Sequence, residues 1–198
     1  MKKKILAVWI IAMMLSALMP QAALAATHTV ADGETLNIET GVLTHADSTT
    51  EPLTISEDDT ISVDAGAEAT ITGSKNVEID CGAGVTLTLD DVTSDVSGCA
   101  LSFTGGGNTL TLVGANTLTG GSDNPGVRVQ AGTALEIRGD GSLTARGGSN
   151  AAGIGGKSQG GSNGGTITIT GNVDITATGG KGAAGIGGGV EADGGTIT

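Results

Sequence analysis

Between Gly147 and Thr198 one phrase of sequence is written almost twice, and that repetition restricts the possible folds more than any other feature of the chain. The run Gly147-Gly148-Ser149-Asn150-Ala151-Ala152-Gly153-Ile154-Gly155-Gly156 returns further on as Gly179-Gly180-Lys181-Gly182-Ala183-Ala184-Gly185-Ile186-Gly187-Gly188. Gly164-Gly165-Thr166-Ile167-Thr168 returns, at a slightly shorter offset, as Gly194-Gly195-Thr196-Ile197-Thr198. Short β-branched runs held between glycines and recurring at a near-constant spacing are the mark of a solenoid, in which each unit buries its apolar face only by stacking on the next.

Weaker copies extend through the chain as short alternating apolar runs. One series reads Leu36/Ile38, Ile61/Val63, Leu87/Leu89, Leu110/Leu112, Leu135/Ile137, Ile167/Ile169, Ile197. A second reads Leu43, Ile71, Val92, Leu118, Leu143, Ile175, and a third Leu53/Ile55, Val77/Ile79, Leu101/Phe103, Val127/Val129, Ile154, Ile186. Three interleaved series with a common period predict an all-β fold, a single-stranded right-handed parallel β-helix with three short strands per coil. About six coils at ~4.8 Å spacing give a rod roughly 30 Å long. Right-handed winding follows from the usual chirality of parallel crossovers. An antiparallel sandwich would also use many short strands and glycine turns, but nothing in it keeps three columns in step. Residues 26–75 read as irregular N-terminal coils or a cap, with loops at Thr44 to Glu51 and Ser56 to Thr60, and residues 76–198 as regular Gly-rich coils. Thr198 interrupts a strand that Thr166 to Ile169 completes one coil earlier, which predicts further coils downstream.

The stretch from Met1 to Ala25 (residues 1–25) belongs to a different class. Lys2, Lys3 and Lys4 precede an apolar run from Ile5 to about Leu18, and Ala23-Leu24-Ala25 supplies a small-residue cleavage pattern. This is a signal peptide with the mature chain starting at Ala26, too short in its apolar run to stay as a membrane span. Its removal takes away Trp9 and three lysines, leaving Phe103 as the sole aromatic residue and six basic side chains against 21 acidic ones. Net charge moves from −12 to −15, which repels phosphate backbones and sets nucleic acid aside. All 36 glycines remain, about a fifth of the mature chain, and their period argues for order. The separation of Cys81 from Cys99 is not a whole repeat; in an exported chain they form either a disulfide or two buried thiols.

Four patterns could carry chemistry. Ala151 to Ser158 satisfies a relaxed phosphate-loop pattern, but Gln159 to Gly165 cannot open the helix such a loop requires, and the matching coil has no lysine. Glu57-Asp58-Asp59 and Asp90-Asp91 with Asp95 are candidate calcium ligands by hard-oxygen chemistry, although neither has EF-hand spacing, and a solvated acidic surface is the simpler reading. Arg128, Glu136, Arg138 and Asp140, with Asp123 and Arg146 nearby, are candidates for a charged ligand patch of solvated ion pairs. His28 and His45 lack partners at metal-ligand spacing and are expected to be exposed. No nucleophilic grouping is legible, so no catalytic residue is assigned and no cofactor other than calcium comes into question.

Asn108-Thr109-Leu110-Thr111-Leu112, Asn116-Thr117-Leu118-Thr119-Gly120-Gly121, Ala134-Leu135-Glu136-Ile137, Gly139-Asp140-Gly141-Ser142-Leu143-Thr144-Ala145, Ala152-Gly153-Ile154-Gly155-Gly156 and Gly165-Thr166-Ile167-Thr168-Ile169 resemble Gly-rich right-handed parallel β-helix repeats of Gram-positive surface proteins. They are similar also to pectate-lyase-like carbohydrate-binding domain proteins. The resemblance implies a secreted, cell-wall-associated protein, either a non-catalytic adhesin or stalk, or a module that binds cell-wall, plant or host polysaccharide, pectin-like and at times calcium-dependent, with a polysaccharide lyase as its catalytic form. It covers core and corner positions only and carries over no site residue. Without Trp or Tyr, any sugar contact has to be polar.

Overall fold

The computed structural model describes residues 25–158 and 163–198; the expected leader, up to residue 24, and the loop residues 159–162 lie outside them. The described chain is all-β, with nineteen strands and no helix. The N-terminal part contains β1 (Thr27–Val30), β2 (Thr35–Asn37), β3 (Val42–Thr44), β4 (Thr50–Pro52), β5 (Thr60–Val63) and β6 (Glu68–Ser74). The middle contains β7 (Glu78–Cys81), β8 (Thr86–Asp95), β9 (Leu101–Phe103), β10 (Asn108–Val113), β11 (Ala115–Thr119) and β12 (Val127–Val129). The last part contains β13 (Ala134–Gly139), β14 (Ser142–Arg146), β15 (Ile154–Gly155), β16 (Thr166–Ile169), β17 (Asp174–Thr178), β18 (Ile186–Gly187) and β19 (Thr196–Ile197).

The strands make two sheets. A seven-stranded sheet runs β1-β5-β7-β9-β12-β15-β18, every pair parallel. A twelve-stranded sheet has the path β19-β16-β13-β10-β8-β6-β2-β3-β4, with β11, β14 and β17 branching from the far half of β8. Since parallel neighbours need crossovers, each strand pairs with its counterpart one repeat away. Strand interiors alternate as pleating requires: in Thr86-Leu87-Thr88-Leu89 both leucines are fully buried and both threonines partly exposed. Inward side chains of both sheets form one apolar cluster, from Val30 to Ile167, that includes Phe103. Full burial of each Leu or Ile contributes about 1.5–3 kcal/mol, which lets such short strands persist.

The registers correct the expected columns at several points. Ile61 and Val63 belong to the seven-stranded sheet, opposite Ile79 and Cys81, and Ile71 stacks between Leu36 and Leu89. The step from Thr60 to Glu78, or from Glu68 to Thr86, is much shorter than the later ones, because the N-terminal repeats lack a third strand. Leu43 and the segment before Leu53 are in an antiparallel hairpin, β3 and β4, which extends the sheet past β2. Further on, Leu110 lies opposite Ile137 and Leu118 opposite Ala145, so each is displaced by one pleat from its expected partner, Leu135 or Leu143. The positions opposite those two leucines are taken by Asn108 and Asn116.

Those asparagines point into the core, each 2% exposed. Asn108 Oδ1 accepts from the Val85 amide of the preceding repeat at 3.2 Å, while its Nδ2 donates to the carbonyls of Thr104, Gly105 and, one repeat on, Ala134. Asn116 repeats the pattern with the Val92 amide and the carbonyls of Val113 and Ser142. Each side chain therefore satisfies corner backbone groups that no ladder reaches. Asp91, at φ 54°, turns β8 so that one strand serves both β10 and β11.

Candidate functional site

The six carboxylates considered for calcium do not converge. Asp59 is 2% exposed and committed to the fold: Oδ1 accepts from the Ala26 amide at 2.7 Å, and Oδ2 from the Ser56 amide at 2.8 Å and lies 3.0 Å from His28 Nε2. Glu57 accepts from the Asn76 amide, and Asp58 occupies a left-handed turn position. Asp91 accepts from the Ala115 amide at 2.8 Å; Asp90 and Asp95 sit in β8, opposite Val113 and Thr119. Among the described residues no three His, Cys, Asp or Glu side chains are grouped as a metal site.

His28 and His45 are half-buried and paired, contrary to the expectation of exposure. His28 meets Asp59, and His45 Nδ1 lies 2.6 Å from Glu34 Oε1 with Nε2 3.6 Å from Glu51. The hydrogen bond to Glu34 is the main cause that raises His45 above the ordinary imidazole range. For Asp59 burial is the largest influence and acts upward, but the Ser56 and Ala26 amides and His28 together hold the carboxyl below its usual range. Both thiols are free and buried, and burial pushes each pKa up.

The four residues of the expected charged patch are divided between sheets. Glu136 and Arg138 lie on β13 of the larger sheet, followed by Asp140 in the turn after it. Glu136 accepts from Thr170 Oγ1 at 2.9 Å beside a recess of ≈ 220 Å³. Arg128 stands alone on β12 of the smaller sheet. The expected solvated ion pairs are absent: among the described residues every salt bridge involves a histidine.

Arg128 instead occupies a row of outward positions, Ser62, Asp80, Ser102, Arg128, Gly155 and Gly187, set side by side by the parallel register. Ser62, Asp64, Asp80, Ser102, Thr104 and Arg128 line a recess of ≈ 410 Å³. Gly155 and Gly187 end the row as buried backbone, with no side chain to add to the recess. Arg128 Nη2 donates to Gln130 Oε1, but its Nε is buried with no partner. An unpaired buried donor of this kind is uncommon. Glu78, raised by burial and by Asp80, and Lys157, which acts in the opposite direction, complete a mixed-charge belt. Asp80 and Ser102 were missed in the sequence, although each is the middle residue of an apolar-x-apolar triplet aligned with Val127-Arg128-Val129.

With that geometry in view, comparison of the chain with protein-family models, curated proteins and solved structures gives no match.

Proposed function

We propose that the chain is an exported, non-catalytic repeat module of the cell surface, a right-handed parallel β-helix of about six coils that serves as a stalk or adhesin element. The observation that carries this reading is the continuous parallel register, with each strand of the seven-stranded sheet paired to its counterpart one repeat later from β1 to β18. A ladder of that kind resists bending, because every repeat is hydrogen-bonded and apolar-packed to both neighbours. Right-handedness follows from crossover chirality, and export follows from the leader sequence. Protease treatment of intact expressing cells tests the placement: the chain is expected to be removed from the surface, and recovery only from the cytoplasm sinks the proposal.

Arg128 favours a second reading, a module that binds a polar, acidic polysaccharide. The Arg128 guanidinium, the Ser62 hydroxyl and the Asp80 carboxylate, which line the recess, offer a hydroxylated, carboxylate-bearing chain hydrogen bonds without aromatic stacking. Retention on a panel of acidic and neutral polysaccharides, with and without calcium, tests it. Binding is expected to be weakened about tenfold or more by Arg128→Ala, the usual scale for loss of a charge-assisted hydrogen bond. Equal retention of both proteins removes Arg128 from the reading.

A further inference from the structure

Asp59 is a carboxylate buried to 2% exposure, and among the described residues no lysine or arginine forms a salt bridge with it. Burial of a carboxylate is costly unless a cation and further hydrogen bonds compensate. Oδ2 has two partners, the Ser56 amide and His28, whereas Oδ1 has one, the backbone nitrogen of Ala26 at 2.7 Å. Ala26 is the residue that follows Ala23-Leu24-Ala25, the small-residue cleavage pattern of the leader. Two independent features, one in the sequence and one in the packing, therefore meet on the same nitrogen.

We infer that Asp59 is the receptor for the α-ammonium group that leader cleavage creates on Ala26. The inference rests on the proposed export of the chain. Hydrolysis by a leader peptidase breaks the C–N bond between Ala25 and Ala26 and consumes one water. Ala25 leaves with a carboxylate, and Ala26 keeps its nitrogen as an ammonium. In the intact chain that nitrogen is an amide with one proton and no charge. After cleavage it carries a full positive charge and three protons at the position that faces Oδ1. The contact changes from a charged-neutral hydrogen bond to an ion pair between an exposed N-terminal residue and a buried carboxylate.

The surroundings are already suited to this terminus. Ala26 accepts from the Thr60 amide through its own carbonyl at 2.8 Å, and β1 begins at the next residue with Thr27 opposite Thr60. Ala25 is exposed and makes no hydrogen bond among the described residues. Cleavage at this bond removes nothing that β1 uses. Cleavage after Thr27 would destroy the first rung of the β1–β5 pairing, and cleavage well before Ala25 would leave the charge away from Asp59. The structure thus gives the processing bond a defined position and ties completion of export to the stability of the first repeat.

The test uses the chain exported with its own leader, with intact mass reporting the N-terminal residue. The amine-acylation rate of the α-amine is then compared in folded and urea-unfolded protein. Pairing with Asp59 is expected to slow acylation near neutral pH by about tenfold for each unit by which the ammonium pKa rises, and Asp59→Asn is expected to abolish most of that protection. A chain carrying extra residues before Ala26 is expected to unfold at lower temperature than the processed chain, a comparison that stands even if Asp59→Asn does not fold. Equal acylation of folded and unfolded protein, with Ala26 confirmed as the first residue, overturns the inference while leaving export intact. A mature N-terminus elsewhere, or no cleavage, shows instead that the leader reading was wrong, and the inference falls with it.

Discussion

Asn108 and Asn116 show how single residues fix the geometry of the whole ladder. Each joins backbone groups of the repeat before and the repeat after, so its loss leaves a buried amide, Val85 or Val92, without a partner. Asn108→Ala is expected to cost about 2–3 kcal/mol, the scale of an unsatisfied buried group plus lost hydrogen bonds, read by urea denaturation. Asn108→Asp should cost more, since it replaces a donor by a charge inside the core. The paired histidines give a second residue-level expectation. Glu34 and Asp59 titrate below their unfolded range, so their stabilisation is present above about pH 4 and lost as pH falls through the lower folded values. His45 titrates above its unfolded range, so its contribution is present below about pH 6.5 and lost as pH rises through the folded value. Amide exchange in β1, β2 and β3, corrected for its intrinsic pH dependence, is therefore expected to be slowest in the mildly acidic interval between those limits. A flat profile across it would remove these pairs from the stability of the N-terminal strands.

At the scale of elements, glycine decides where two short strands can approach. Gly155 in β15 has φ +134°, and a Cβ there would lie 2.0 Å from the Gly187 carbonyl oxygen of β18. Gly155→Ala is expected to cost at least about 1–3 kcal/mol from backbone strain alone, and to loosen β15 and β18 before β10 when followed by hydrogen exchange. The duplicated phrase made this pair visible, because Gly153-Ile154-Gly155-Gly156 and Gly185-Ile186-Gly187-Gly188 are identical. Much of the ladder from Leu87 onward was legible in the same way, since alternating Leu and Ile mark the inward positions directly. The slips at Leu110 and Leu118 have a specific cause: apolar columns cannot be aligned through an inward asparagine that looks like an outward polar residue. The N-terminal columns failed for another reason, because a shorter step and an inserted hairpin replace the later spacing. The recess beside Arg128 was hidden by a similar misalignment, which put Glu78 where Asp80 belongs in the row. Asp59 was legible only as one of three consecutive acids; its burial depends on Ala26 and His28, which are far away along the chain.

For the molecule as a whole, packing is uneven along the ladder. Residues of β8 to β13 place Leu87, Leu89, Leu110, Leu112 and Ile137 fully inside, whereas Ile169, Val173 and Ile175 are only partly buried and Ile197 is 47% exposed. The middle repeats should accordingly be the last to exchange their amides on approach to global unfolding. The antiparallel hairpin at the other end has a consequence for assembly. β4 reads Thr50-Glu51-Pro52, with Thr50, Glu51 and Pro52 all exposed, and Leu53 donates to Gly41 at 2.6 Å, which turns the nitrogen of Pro52 to the outer side. A strand arriving there meets a charge and an amide nitrogen that has no proton to give. The hairpin thus makes this edge a poor template: on this sheet, addition of a further strand is disfavoured in that direction by a single short strand.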